Sequence, residues 1–145
     1  MATATPSRTL QCVVVTPERA LLDEPADFVA LPLYDGEIGI LPGRAPLVGR
    51  LGYGELRLRR AGRTRRFYVD GGFVQVRDDV VTLLTSLALG ADEIRADQAE
   101  RALHDAQGAV GLTAEQRLRA QERARAQLRV ARRGGEWPPG AERQV

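Results

Sequence analysis

The chain has 145 residues, a net charge of +2, 43% hydrophobic content and one cysteine. That length suits one ordinary domain, or a small domain with an appendage, and no stretch approaches the roughly 18 consecutive apolar residues of a membrane span. All 21 basic side chains are arginines, so there is no lysine to complete a Walker-type phosphate loop.

The first residues, "MATATPSRT", carry no apolar core and are expected to be a frayed end, not a secretory signal. Cys12 follows in the apolar run "LQCVVV"; it has no partner for an internal disulfide, so a buried strand thiol in a reducing compartment is expected. Up to Gly90, short runs alternate apolar and polar residues: "TLQCVVV", "ADFVALPL", "GELRLRR", "RRFYVDGG", "FVQVRDD" and "VVTLLTS". Turn signals divide them at Ala61-Gly62, Asp70-Gly71-Gly72 and Asp78-Asp79. In "ELRLR", Leu56 and Leu58 point one way while Glu55, Arg57 and Arg59 point the other, giving a dry face and a wet one. Six or more such strands imply a β-sandwich or barrel.

The stretch "YDGEIGILPGRAPLV", residues 34–48, breaks the pattern with Gly36, Gly39 and Gly43 and two prolines. Glycine-rich turns suit anions because backbone N–H groups can approach closely. Here Asp35 and Glu37 would repel a phosphate, and the glycine spacing misses the dinucleotide fingerprint. The loop must serve something other than nucleotide chemistry.

After Gly90 the period becomes helical. Ala99, Ala102, Leu103, Ala106 and Val110 recur on one face behind Asp92 as the expected N-cap, and Gly108 and Gly111 end this first helix. Thr113 and Gln116 form a capping box for a second helix that runs to about Arg133, with Ala120, Ala124, Leu128 and Ala131 as a narrow apolar stripe. Between Ala91 and Gln116 six acids face two arginines, and between Arg117 and Arg133 seven arginines face only Glu122. The acidic and basic helices should therefore attract each other. Few of their side chains are larger than alanine, so the hairpin is expected to be marginal and detachable. Gly134-Gly135 and Pro138-Pro139 end it. The expected organisation is thus a β-domain over 8–90, a helical hairpin over 91–133 and a flexible tail over 134–145 that contains Trp137.

Catalysis finds little support. His104 is the only histidine and stands among alanines with no cysteine or carboxylate cluster at ligand spacing, so neither a metal site nor a general base is expected. An arginine-rich helix also suits a nucleic-acid-binding module, but interleaved aromatics and a second basic face are missing.

The order of β-domain and hairpin, the loop "GEIGILPGRAPLV", the segment "FYVDGGFVQV" and the helix segment "AQLRV" closely resemble the epsilon subunit of bacterial F-type ATP synthases, from about Leu10 to Arg132. The resemblance implies an N-terminal antiparallel β-sandwich of about ten strands, followed by a C-terminal antiparallel two-helix hairpin. It implies a non-catalytic subunit that needs no cofactor and links the gamma rotor to the membrane c-ring at the cytoplasmic face of the inner membrane, with neither lipid insertion nor nucleic acid. Asp35, Gly36, Glu37 and Arg44 match the part that contacts the c-ring. The hairpin is implied to fold down on the sandwich or extend along gamma into the catalytic hexamer, where it blocks ATP hydrolysis. There Arg119, Arg123, Arg125 and Arg129 are expected to meet acidic segments of the alpha and beta subunits. Some relatives bind ATP at the hairpin; this chain has Arg95 at the position of that site's aspartate, and Gln98 and Gln127 at two of its arginines, although Arg123 matches. No ATP site is therefore expected.

Overall fold

The computed structural model describes residues 8–134. The expected tail with Trp137 lies outside the described residues from position 135 onward, as do the first seven residues. Eight strands form: β1 (Leu10–Val15), β2 (Ala20–Ala26), β3 (Phe28–Leu33), β4 (Gly36–Ile40), β5 (Leu47–Arg60), β6 (Arg63–Arg77), β7 (Val80–Leu84) and β8 (Ala88–Gly90). A short 3₁₀ turn, Ala91–Glu93, leads to helices α1 (Ala96–Gly108) and α2 (Ala114–Arg133). A β-domain followed by a helical hairpin is the expected order.

The strands hydrogen-bond in the order β2-β1-β7-β6-β5-β3-β4, with β8 on β6. All pairs are antiparallel except β1 with β7, which run parallel. The count of eight is close to the expected ten or so, and β5 and β6, 14 and 15 residues long, each serve both layers of the sandwich. The signal Asp70-Gly71-Gly72, expected to divide two strands, instead bends β6 without ending it. The β5–β6 register skips Gly52 and Gly71, and on β5 the buried positions pass from Leu51 to Leu56 and Leu58, so each half of the ribbon faces the same core from a different layer. Gly72 is required at this bend: its φ is +112°, and a Cβ would lie 1.9 Å from the Leu84 carbonyl oxygen.

Between the layers sits a core built on Leu10, Val29, Leu31, Ile40, Leu56, Leu58, Val69, Val74 and Leu83. Cys12 belongs to it with no exposure, and burial, reinforced by the charges of Glu24 and Asp23, pushes its thiol pKa up to about 12. Gly39, in the glycine-rich stretch, lies under the Phe28 ring, which a Cβ would meet at 2.8 Å. The tight turns at Ala61-Gly62 and Asp78-Asp79 form as expected, all four residues having positive φ. Asp79 also accepts the Gly43 N–H at 2.7 Å and an Arg8 N–H at 2.6 Å, which hold its carboxyl below the usual range.

The hairpin begins later than expected. Asp92 lies in the 3₁₀ turn, and the N-cap of α1 is Arg95, which provides no side-chain cap. The Thr113–Gln116 capping box forms in full: the Thr113 hydroxyl accepts the Gln116 N–H at 3.1 Å, and the Gln116 side chain accepts the Thr113 N–H at 3.0 Å.

Candidate functional site

On the second half of β5 and the first half of β6, the face turned away from the core carries Tyr53, Glu55 and Arg57 beside Arg66, Tyr68 and Asp70. Cross-strand register pairs Tyr53 with Asp70, Glu55 with Tyr68 and Arg57 with Arg66. This face, expected to be wet, is covered by α2. Ala126 and Val130 press on Tyr68, which is fully buried, and Ala91 and Ile94 complete the cluster. Burial, with the charge of Asp70 second, raises the Tyr68 pKa. The expected stripe of α2 is thus only part of its buried surface: Ala124 and Leu128 are buried as anticipated, and Ala126 and Val130 add a second buried row against the sheet. Nothing in local periodicity distinguishes that row from an exposed one.

Polar anchors flank the apolar contact. Arg123 Nε lies 3.3 Å from Asp70, its Nη2 donates to the Tyr53 hydroxyl at 3.1 Å, and its guanidinium stands 4.5 Å from the Tyr53 ring centroid. Ten residues on, Arg133 Nη1 donates to Glu55 Oε1 at 3.1 Å, and Arg66 donates to the Gly134 carbonyl at 3.0 Å. The basic helix therefore pairs chiefly with acids of the sandwich. The expected attraction to the acidic first helix is reduced to Arg132 and Glu100, 3.9 Å apart and both exposed. Geometry explains the change: α2 lies along the sheet with Arg123 and Arg133 turned onto it, while most acids of α1 face solvent.

The residues singled out as an inhibitory contact divide into two groups. Arg123 is committed to the sandwich. Arg119 pairs with Glu115 one turn back on α2, and Arg125 and Arg129 are exposed. Of the positions tied to an ATP site in some relatives, Arg95 and Gln98 are exposed and Gln127 lies against Tyr68.

The residues singled out as a ring contact divide as well. Tyr34 and Asp35 form the two-residue turn between β3 and β4, and Gly36, with φ +140°, opens β4. Asp35 and Gly36 are exposed at this tip. Arg44 is exposed in the loop after β4, past the opposite end of a strand that spans roughly 13 Å at 3.3 Å per residue. Glu37 follows Gly36 on β4 and is exposed as well, but it is engaged within the chain. Its carboxylate turns to the Arg57 side chain, which donates Nη2 at 3.0 Å and Nη1 at 3.2 Å, while the same Nη1 reaches Glu55 Oε1 at 3.2 Å. Burial alone would lower the Arg57 pKa, but these hydrogen bonds and charges outweigh it and raise the value. Glu37, Glu55, Arg57, Arg129 and Arg133 line one cleft of about 230 Å³ beneath the C-terminal half of α2. Sequence reasoning missed Glu55 and Asp70 as docking acids, because their partners lie 78 and 53 positions away.

The uncovered outer face lies on the other half of the ribbon. Val48, Phe73 and Leu84 are 76%, 59% and 53% exposed, and the register places Phe73 between Arg50 and Leu84. Among the described residues no group of three or more His, Cys, Asp or Glu side chains is placed to hold a metal, and no helix is long and apolar enough to cross a membrane.

Comparison with known proteins agrees with this architecture. Residues 9–91 match the model of the ATP synthase delta/epsilon chain β-sandwich domain. The chain is 52% identical over 126 residues to the ATP synthase epsilon chain of Rhodopirellula baltica, covering 85% of this chain and 98% of that one. It is 40% identical over 128 residues to the epsilon chain of Solibacter usitatus, covering 85% and 96%. In fold it resembles a chain of the Euglena gracilis mitochondrial ATP synthase, with a TM-score of 0.71 at 23% identity over 92% of this chain and 84% of that chain. A chain of the Tetrahymena thermophila mitochondrial ATP synthase central stalk and c-ring matches with a TM-score of 0.58 at 18% identity, over 89% and 98%. With a family model spanning more than half its length and a relative 52% identical over 85% of it, this chain belongs to the ATP synthase epsilon-chain family.

Proposed function

We propose that the chain is a non-catalytic subunit of the synthase's central stalk, coupling the gamma rotor to the membrane c-ring and restraining ATP hydrolysis through its hairpin. It would work at the cytoplasmic face of the membrane. The observation that carries this reading is the docking of α2: a helix with seven arginines rests on the sandwich through one small apolar cluster and two exposed arginine anchors. Such an interface suits reversible release. Once α2 is released, Arg123 and Arg133 join Arg119, Arg125 and Arg129 on a helix about 30 Å long, at 1.5 Å per residue, which then meets acidic segments of the alpha and beta subunits.

The sandwich supplies the stationary contacts. The apolar patch of Val48, Phe73 and Leu84 suits gamma, because contiguous exposed apolar surface marks a protein interface. The exposed acid-bearing tip at Asp35 and Gly36 suits the polar loops of the ring. Ending the chain after Gly111 leaves both surfaces in place. The assembled complex should then hydrolyse ATP faster than the intact one while still containing alpha, beta and gamma; an unchanged rate would make the hairpin a passive appendage.

A further inference from the structure

Four alternating charges connect strand β4 to the C-terminal end of α2. Glu37 holds Arg57 through both guanidinium nitrogens, Arg57 reaches Glu55 Oε1, and the same oxygen accepts Arg133. Arg66 Nε stands 3.8 Å from that oxygen as a third cation. Glu55 is only 11% exposed in its side chain, and its other oxygen, Oε2, is buried without a hydrogen-bond partner among the described residues. Glu37, by contrast, is about half exposed.

We propose that this chain of charges is a relay in which occupancy of Glu37 controls how firmly α2 is docked. While Glu37 holds Arg57, the arginine is divided between two carboxylates and leaves Glu55 Oε1 to Arg133. A cationic group that takes Glu37 frees Arg57. Its nearest remaining carboxylate is Glu55, where the spare Oε2 permits a two-nitrogen fork, the stronger arrangement for a guanidinium. Arg133 then shares its anchoring carboxylate, Glu55, with a bound cation, and Arg57 adds uncompensated positive charge to the cleft that holds Arg129 and Arg133. Both effects loosen α2. By linkage the reverse also holds: departure of Arg133 gives Arg57 fuller access to Glu55 and makes Glu37 more available to an outside cation. The partner is identified by its chemistry, a lysine or arginine on a polar loop reaching β4. That this loop belongs to the rotor ring rests on the function proposed above, whereas the relay itself is a property of the isolated chain.

Hydrogen exchange of the full-length chain tests it, with the α2 segment 126–132 as readout and the β1 and β7 segments as a control for folding. Glu37→Gln should speed exchange in α2 by about three- to fivefold, the size of one partly exposed ion pair, and leave β1 and β7 unchanged. In an Arg133→Gln background, or in an Arg57→Gln background, the same substitution should change exchange by less than about 1.5-fold, because coupling is lost when a link is missing. If Glu37→Gln has no effect alone, acts additively with Arg133→Gln, or keeps its full effect when Arg57 is replaced, the relay is wrong. Direct attraction between Glu37 and the arginines of α2 would produce the last of these outcomes. A separate measurement, ion pumping driven by hydrolysis in complexes carrying Glu37→Arg, tests the ring contact and can fail while the relay stands.

Discussion

Cys12 illustrates how a single side chain reports the state of the whole sandwich. It lies on β1 between β2 and β7, has no exposure and keeps its proton to a pKa of about 12. In an unfolded chain a thiol titrates near pH 8.5, so above that pH the unfolded state loses a proton that the folded state retains. Stability must then fall as pH rises, by up to roughly 1.4 kcal/mol per pH unit from this one group. Urea midpoints measured between pH 8 and pH 10 should decline, and Cys12→Ala should flatten that decline even though its cavity lowers stability throughout. Iodoacetamide should leave the native protein unmodified at pH 8.5 and modify it fully in urea. Modification of the native protein would show that the sandwich opens around β1. The expectation of a buried thiol was legible because "LQCVVV" needs only a two-residue period; the carboxylates that add to the effect of burial on its pKa, Glu24 and Asp23, come from another strand and were not.

At the scale of elements, local signals were legible and long-range ones were not. Thr113 and Gln116 cap α2 as their spacing requires, because a capping box is closed within four residues. Asp70-Gly71-Gly72 misled for the opposite reason: glycine tolerates a bend as readily as a turn, and only the pairing of β6 with β5 and β7 decides between them. The attraction expected between the two helices was likewise overruled by carboxylates on the sheet. Two kinds of force therefore hold α2 down. Arg123 and Arg133 are about half exposed, so each ion pair contributes about 0–1 kcal/mol and weakens with salt. Val130 and Ala126 on Tyr68 form a dry contact that salt does not screen, where one buried valine contributes roughly 1.5–3 kcal/mol. Raising salt from 0.05 M to 1 M should speed exchange of α2 amides several-fold without reaching the rate of an unprotected helix, whereas Val130→Asp should abolish protection at any salt. Protection that ignores salt would remove the arginines from the account of docking.

For the molecule as a whole, the function proposed above gives the hairpin two states that compete for the same arginines. Reasoning from the sequence alone treats Arg119, Arg123, Arg125 and Arg129 as one group, because they share a charge and a helix. Docking separates them: Arg123 is engaged with Asp70 and Tyr53, while Arg125 and Arg129 are exposed, Arg129 at the edge of the cleft that holds Glu55 and Arg133. Under that proposal, a side chain with no ion pair among the described residues in the folded-down state has only the proposed contacts in the catalytic hexamer to lose. Replacing Arg125 and Arg129 by alanine, which preserves helix propensity, should leave docking almost unchanged and destabilise only the proposed extended state. ATP hydrolysis by the assembled complex should then rise by most of the amount produced by ending the chain after Gly111. Arg123→Ala removes an anchor from both states, so its losses partly cancel and the change in hydrolysis should be smaller. Exchange of α2 in the isolated subunit should show the reverse order, with Arg123→Ala the more exposed variant. A complex in which Arg123→Ala relieves inhibition more than the double substitution would mean that Arg123 contributes more in the hexamer than on the sandwich. The hairpin's balance would then be set by the catalytic subunits and not by its docking on Asp70 and Glu55.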